Sequence, residues 1–392
     1  MSPSPKAKGK VLLTGGTGFI ASHVLDCLLD HGFEVVVTAR SHEKGQRIVK
    51  SIDGNTSGKR VSYVVVEDIA KDGAFDDAVK SDPPLDYVVH HTASPYQLHW
   101  DDPVKDCLEP AINGTTGILK SIKIHAPSVK RVVITSSSAA ILSPPDHRAV
   151  YDESCWSDVS WEQAKDVKHT YRASKVGKPS FITTPEILPR EPLRRFGTLH
   201  INTHPSLSLS RQKFAEQAAW SFIQTEKPNF TLAAINNTYT FGPIPRSLGS
   251  LQTLNTSNHR IRDLALGGMR SGIQPTAPVF TFVDVRDVAL AHVRAMTVPA
   301  AGGRRFYVVG GFFSNPRLAE IVRRRFPALK GRLPAAVEGE GFRDDFPEDH
   351  WLFDNTLSKK MLAIEYTGLE ESVVDTVESI LKFEGGQSGR GD

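Results

Sequence analysis

The chain predicts a doubly wound α/β fold: a parallel sheet covered by helices on both faces, with a smaller α/β lobe towards the C-terminus. Two observations predict it. From Lys10 to about Arg131, short β-branched runs alternate with amphipathic stretches, and parallel strands need such crossovers because tight turns cannot join them. The first strand also runs straight into a glycine-rich turn, Thr14-Gly15-Gly16-Thr17-Gly18, that opens a helix. With 392 residues, 40% of them apolar and 19 of them Phe, there is enough material for a large core.

The elements follow in order. Val11-Leu12-Leu13 is the first strand, Ser22 to Asp30 the first helix and Val35-Val36-Val37 the second strand. A polar helical stretch leads to the strand Val61 to Val66, then Val88-Val89, a long helix within Val104 to His125, and the strand Val132-Val133-Ile134. Leu232 to Ile235 and Phe280 to Val283 read as later strands, whereas Pro243 to Gln274 and Pro316 to Phe353 are loop-rich and helical. We divide the chain into a flexible start (1–9), a nucleotide-binding domain (10–175), an insertion (176–212), a helix and strand that complete the nucleotide domain (213–242), a lobe (243–385) from which strand 280–284 returns to that domain, and a flexible tail (386–392).

Composition excludes several function classes. Against 44 acidic side chains stand 47 basic ones, a balance of +3, far from the basic stripe that a nucleic-acid backbone demands. Cys27, Cys107 and Cys155 have neither disulfide nor zinc spacing. His90, His91 and His99 lack the carboxylate spacing of a metal site. No apolar run is long enough to span a membrane or placed as a signal peptide, so the expectation is a cytoplasmic protein without membrane, metal or nucleic-acid partners, monomeric or homodimeric. Arg323-Arg324-Arg325 reads as a solvated helix face, and Asp284, Arg286 and Asp287 as a structural ion-pair turn.

The glycine turn carries the first chemistry. Gly15, Gly18 and Ala21 have the spacing at which glycine lets the backbone approach a pyrophosphate and a small third residue lets helix pack on strand. Thr14, Gly15, Gly18, Phe19 and Ile20 then surround a helix N-terminus, whose N–H groups and dipole favour an anion. At the end of the second strand, where an NAD site would place a carboxylate, the chain has Thr38-Ala39-Arg40 with Lys44 beyond. An Arg fork fits a 2′-phosphate, so the cofactor expected is NADPH/NADP+. Asp68 and Ile69 follow the third strand where an adenine would lie, although a simple cap fits Asp68 as well.

The second constellation is catalytic. Thr135-Ser136-Ser137-Ser138 ends the fifth strand, and Tyr171 and Lys175 stand four apart further on. That spacing puts phenol and ammonium on one helix face, which lowers the phenol pKa from about 10 towards working pH. Ser137 as carbonyl polariser, Tyr171 as proton donor and Lys175 as its tuner and ribose holder are what hydride delivery to a carbonyl requires.

These motifs, with His91-Thr92-Ala93-Ser94-Pro95, Tyr151 to Trp156, Lys213 to Trp220, Phe241-Gly242-Pro243, Phe282 to Ala289 and Asp354-Asn355, resemble the extended short-chain dehydrogenase/reductases. The likeness is to the branch of dihydroflavonol, cinnamoyl-CoA and fungal methylglyoxal and ketone reductases, within the NAD-dependent epimerase/dehydratase superfamily. The resemblance covers nearly the whole chain and implies a Rossmann-type fold and NADPH-dependent reduction of a ketone or aldehyde. Its site residues would be Ser137, Tyr171 and Lys175, with Thr92, Ala93 and Ser94 along the cofactor and Thr238 near the carboxamide. Alternatives on the same scaffold are a nucleotide-sugar epimerase or dehydratase, against which Arg40 speaks, and a catalytically impaired NADP-binding protein.

Two departures stand out. Relatives commonly have Asn-Pro where this chain has Asn236-Asn237. The larger departure is Val176 to Gln212, 37 residues with Pro179, Pro185, Pro189, Pro192 and Pro205, no helical or strand period and a Ser-Leu alternation near the end. We expect no packed element there. Joining Lys175 to Lys213 restores an unbroken helix, Tyr-Arg-Ala-Ser-Lys-Lys-Phe-Ala-Glu. A Val codon begins with GT and a Gln codon can end in AG, so the segment reads as a retained intron or mistaken gene model, with a genuine insertion as the alternative.

Overall fold

The computed structural model describes residues 7–52, 60–91, 102, 104–165, 205–336 and 341–388, with residues 91, 205–210 and 386–388 described by backbone alone. Its strands are β1 (Lys10–Leu13), β2 (Glu34–Ala39), β3 (Val61–Val65), β4 (Tyr87–His91), β5 (Arg131–Ser137), β6 (Val150–Tyr151), β7 (Thr231–Asn237), β8 (Tyr239–Phe241), β9 (Thr281–Asp284), β10 (Arg304–Val308), β11 (Gly311–Phe312) and β12 (Leu352–Phe353). The longer helices are α1 (Phe19–Asp30), α2 (His42–Ile52), α3 (Glu109–His125), α4 (Pro205–Glu226), α5 (Thr256–Leu266), α6 (Val285–Thr297), α7 (Asn315–Arg325) and α8 (Leu369–Ser388).

Among the described residues the central sheet has seven strands in the order β10-β7-β5-β4-β1-β2-β3, every neighbouring pair parallel. The chain winds outward from β1 to β3, then crosses to β4 on the other side of β1 and winds outward again. Strand order therefore reverses between β1 and β4, and ligands bind beyond the carboxyl ends of strands at such a point. This is the doubly wound, Rossmann-type architecture that the sequence predicts.

Side-chain alternation explains the two-sided core. Val11 and Leu13 of β1, with Val35 and Val37 of β2, face α1 and α6 in one buried cluster. Leu12 and Val36 point the other way, joining Ile118 and Leu119 of α3 and Ala219 and Phe222 of α4 in a second. At about 25 cal/mol per Å² of apolar surface removed from water, these two layers dominate the stability of the fold. A third cluster, with Phe241, Leu264, Phe282, Phe313, Leu318 and Val377, holds the lobe together.

Two expectations are corrected. Segment 280–284 does not join the central sheet: β9 pairs with β8 and β11 in a separate three-stranded sheet. Val283 of β9 packs into the same buried cluster as α1 and α6, and the chain re-enters the central sheet at the edge strand β10. The second correction concerns the end of the insertion, where we expected no packed element. The backbone of 205–212 is helical and continuous with the rest of α4. Pro205 is tolerated as the first helical residue, and extending an already anchored helix avoids the cost of nucleation, so a poor helical period suffices there.

Candidate active site

The nucleotide end of the site grows from the β1–α1 turn. Gly15 adopts φ +67°, a conformation that favours glycine. A Cβ on Gly16 would come within 3.0 Å of Val37 Cβ and 3.2 Å of Ile48 Cδ1, so this turn closes against β2 and α2 only without a side chain. The Gly15 N–H donates to Thr38 Oγ1 (3.1 Å) and the Gly16 N–H to the Thr38 carbonyl (3.2 Å), tying the turn to β2. Thr14 is buried and its hydroxyl meets His90 Nδ1 at 3.0 Å, which gives His90 a structural role. Helix α1 starts with Phe19 and Ile20, has no acidic residue in its first turn and no capping side chain on Gly18. Its leading amides are thus directed at whatever lies in front of the turn. Ala21, fully buried, is the small contact between helix and sheet.

Arg40 and Lys44 flank the end of β2, both exposed. Among the described residues neither forms an ion pair, whereas Arg47 one turn on is paired with Glu43 (2.9 Å). Asp68 is exposed and accepts the Ala70 N–H at 2.9 Å, closing a turn. Ile69 packs against α3, where a Cβ on Gly114 would lie 3.3 Å from its Cδ1. The glycine turn, the uncapped helix start and the two unpaired cations fit a dinucleotide carrying an extra phosphate.

At the other end of the crevice, Ser137 is the last residue of β5, half-buried, and its hydroxyl accepts the Ala139 N–H at 3.2 Å. His91, the last residue of β4, pairs with Thr135 two residues earlier. The predicted residues Thr92, Ala93, Ser94, Tyr171 and Lys175 lie outside the described residues. Thr238 is buried after β7, and its hydroxyl is engaged with Thr281 Oγ1 at 2.6 Å. A carboxamide would therefore meet its backbone rather than a free hydroxyl.

Sequence reasoning missed the group that supports Ser137. Glu216 of α4 is buried and accepts from Ser136 Oγ (2.5 Å), Asn236 Nδ2 (2.7 Å), Arg305 Nε (2.6 Å) and Trp220 Nε1 (3.2 Å). Asn236 Nδ2 also donates to the Ser137 carbonyl at 3.3 Å. Arg305 completes the cluster with bonds to the carbonyls of Glu153 (2.7 Å) and Cys155 (2.6 Å), its guanidinium 3.7 Å from the Trp156 ring centroid. Three strands, one helix and the loop before Trp161 are thereby pinned together at the Ser137 end of the sheet. Asn236, noted in the sequence only as a departure, is a member of this cluster. Nearby, Lys213 donates to the Val159 carbonyl (2.7 Å), and burial pulls its ammonium pKa down. Phe214 meets Trp161 edge-on at 4.9 Å.

The ion-pair turn expected at Asp284 is present: Asp284 caps α6 and binds Arg286, which reaches Asp375 of α8 at 2.6 Å. Asp287 accepts from the Thr367 N–H (2.8 Å) and hydroxyl (3.1 Å), and burial raises its carboxyl to about 6. Among the described residues no cluster of His, Cys, Asp and Glu has the arrangement of a metal site, and no helix is long and apolar enough to cross a membrane.

Across 373 residues, 95% of this chain and 98% of its relative, the sequence is 48% identical to a ketoreductase of Aspergillus niger. The family model described as NAD dependent epimerase/dehydratase matches residues 11–157. The chain belongs to that family. Within it, the chain lies in the branch of the fungal ketoreductases and methylglyoxal reductases. An NADPH-dependent methylglyoxal reductase of Saccharomyces cerevisiae is 33% identical over 96% of this chain and 99% of its own length. The crystal structure of the Candida albicans relative Gre2 in complex with NADPH superposes with a TM-score of 0.78 at 32% identity, covering 95% of this chain and 98% of that one. The glycine turn after β1 and Ser137 at the end of β5 both lie at the carboxyl ends of the central strands.

Proposed function

We propose that this scaffold, in the form in which Lys175 leads directly into Lys213, reduces the carbonyl of a small ketone or aldehyde to an alcohol, using NADPH. The observation that carries this reading is the pair of exposed cations Arg40 and Lys44 at the end of β2, which form no ion pair among the described residues. An NAD site of this fold has a carboxylate there, and a guanidinium fork answers the charge and geometry of a 2′-phosphate instead. The names of the Aspergillus ketoreductase and the Saccharomyces methylglyoxal reductase point the same way. A nucleotide-sugar epimerase reading loses support at the same residue.

An NADPH held by these residues would supply the hydride for the new C–H bond at the carbonyl carbon. Residues Thr14, Gly15, Gly18, Phe19 and Ile20 hold the pyrophosphate, Arg40 and Lys44 the 2′-phosphate, and Asp68 and Ile69 flank the adenine. As the family resemblance implies, Thr92, Ala93 and Ser94 would contact the cofactor, and Thr238 would meet the carboxamide through its backbone. Ser137 donates a hydrogen bond to the carbonyl oxygen and stabilises the charge that grows there. Tyr171 transfers its proton to that oxygen, and Lys175 keeps the phenol acidic enough to do so while holding the nicotinamide ribose. Ketone, NADPH and one proton thus become alcohol and NADP+. NADPH consumption by the chain lacking 176–212 with a panel of small aldehydes, diketones and aromatic ketones tests the proposal, with Ser137→Ala as the control that retains cofactor binding but loses turnover.

A further inference from the structure

The insertion touches the site through α4. Its C-terminal half is anchored in one register: Glu226 bonds Lys123 of α3 at 2.8 Å, Glu216 bonds Ser136 and Asn236, and Lys213 bonds the Val159 carbonyl. Ser136 and Asn236 stand at the carboxyl ends of β5 and β7, whereas α4 ends four residues before β7 begins, at the opposite edge of the sheet. The helix therefore runs antiparallel to the strands, and everything ahead of Glu216 projects past the carboxyl ends, over the crevice. Positions 212 and 208 precede Glu216 by one and two turns on the same face, about 6 and 12 Å further along the axis. On backbone geometry these are the positions on that face of α4 that lie beyond the strand ends.

In this chain those places belong to Gln212 and Ser208. When Lys175 directly precedes Lys213, they belong to Lys175 and Tyr171 instead. A helix position holds one residue, so the two segments exclude each other. Gln212 carries no charge, and Ser208 has no proton of phenolic acidity. The nucleotide turn and Arg40 lie on other elements of the sheet, independent of this choice.

We propose that positions 208 and 212 are the acid and cation positions of the active site, and that the chain containing 176–212 is a form that binds NADPH without reducing carbonyls. The inference rests on the carbonyl-reductase reading. It makes residues 205–212 a counterfeit of the catalytic turns: the same helix, in the same register, without the groups.

The test uses three proteins: the full chain, the chain lacking 176–212, and the full chain carrying Ser208→Tyr with Gln212→Lys. NADPH binding is followed by cofactor fluorescence and turnover by NADPH loss with the carbonyl panel. All three should bind NADPH, which also reports that each is folded. The full chain should turn over about a hundredfold or more slowly than the shortened one, the scale of a lost general acid. The double variant should regain activity, and Tyr171→Phe should abolish activity in the shortened chain. A full chain as active as the shortened one and silenced by Tyr171→Phe overturns the inference. So does a double variant that binds NADPH but stays silent beside an active shortened chain. Silence of all three with NADPH bound overturns the carbonyl-reductase reading itself, and so separates the two failures.

Discussion

In the proposed reading Arg40 sets the cofactor preference: its guanidinium is exposed and, among the described residues, forms no ion pair. Hydrogen bonds to charged groups contribute about 1.5–3 kcal/mol, so Arg40→Ala should weaken NADPH binding about 10- to 100-fold and leave NADH binding nearly untouched. Titration of both cofactors by fluorescence checks this, and equal losses for the two would contradict a 2′-phosphate role. Asp287 gives a pH signature of a different kind. Burial raises its carboxyl from 3.8 to about 6 in the folded chain, so the folded state binds that proton more tightly than the unfolded one. The stability this contributes is complete below about pH 4 and is lost as pH rises through 6. The difference in unfolding free energy between the native chain and Asp287→Asn should therefore shift in favour of the native chain by up to about 3 kcal/mol as pH falls from 7 to 4. A flat difference in denaturant titrations across that range would contradict the raised carboxyl.

At the scale of elements, the decisive tie is between α4 and the carboxyl ends of β5 and β7. Glu216 is buried with Arg305 against it at 2.6 Å, and side-chain exposure is 1% and 10% respectively. Truncating one member of such a pair leaves the other buried and uncompensated, at about 3–5 kcal/mol. Glu216→Ala should lower the melting temperature sharply in calorimetry. Glu216→Gln, which keeps the shape and one acceptor, should lower it less; equal melting of all three would show that the cluster is not a tie. None of this was legible in advance, because Glu216 sits in an ordinary-looking helix and its partners come from β5, β7 and β10, up to 89 residues away in sequence. The β1–α1 turn was legible for the opposite reason. Strand, glycines and helix are contiguous there, so local spacing alone fixes the geometry of Gly15 and Gly16.

For the whole molecule, the alternation of β-branched runs with amphipathic stretches was enough to predict the parallel sheet, since only crossovers can connect parallel strands. Which sheet residues 280–284 join is not legible in the sequence, because an isolated β-branched run carries no information about its neighbour. β9 pairs with β8 and β11, and β10 supplies the edge strand instead. The segment 205–212 was read as unpacked because its own period is poor, yet an anchored helix extends through it. The central claim is that this sheet holds NADPH and delivers its hydride to a small carbonyl. NADPH consumption by the chain lacking 176–212, measured with aldehydes, diketones and aromatic ketones and paired with detection of the alcohol, tests that claim most directly. The account predicts one alcohol formed per NADPH consumed with at least one of these substrates, and loss of that turnover in Ser137→Ala. NADPH bound by a folded protein and left unconsumed across the panel would contradict it.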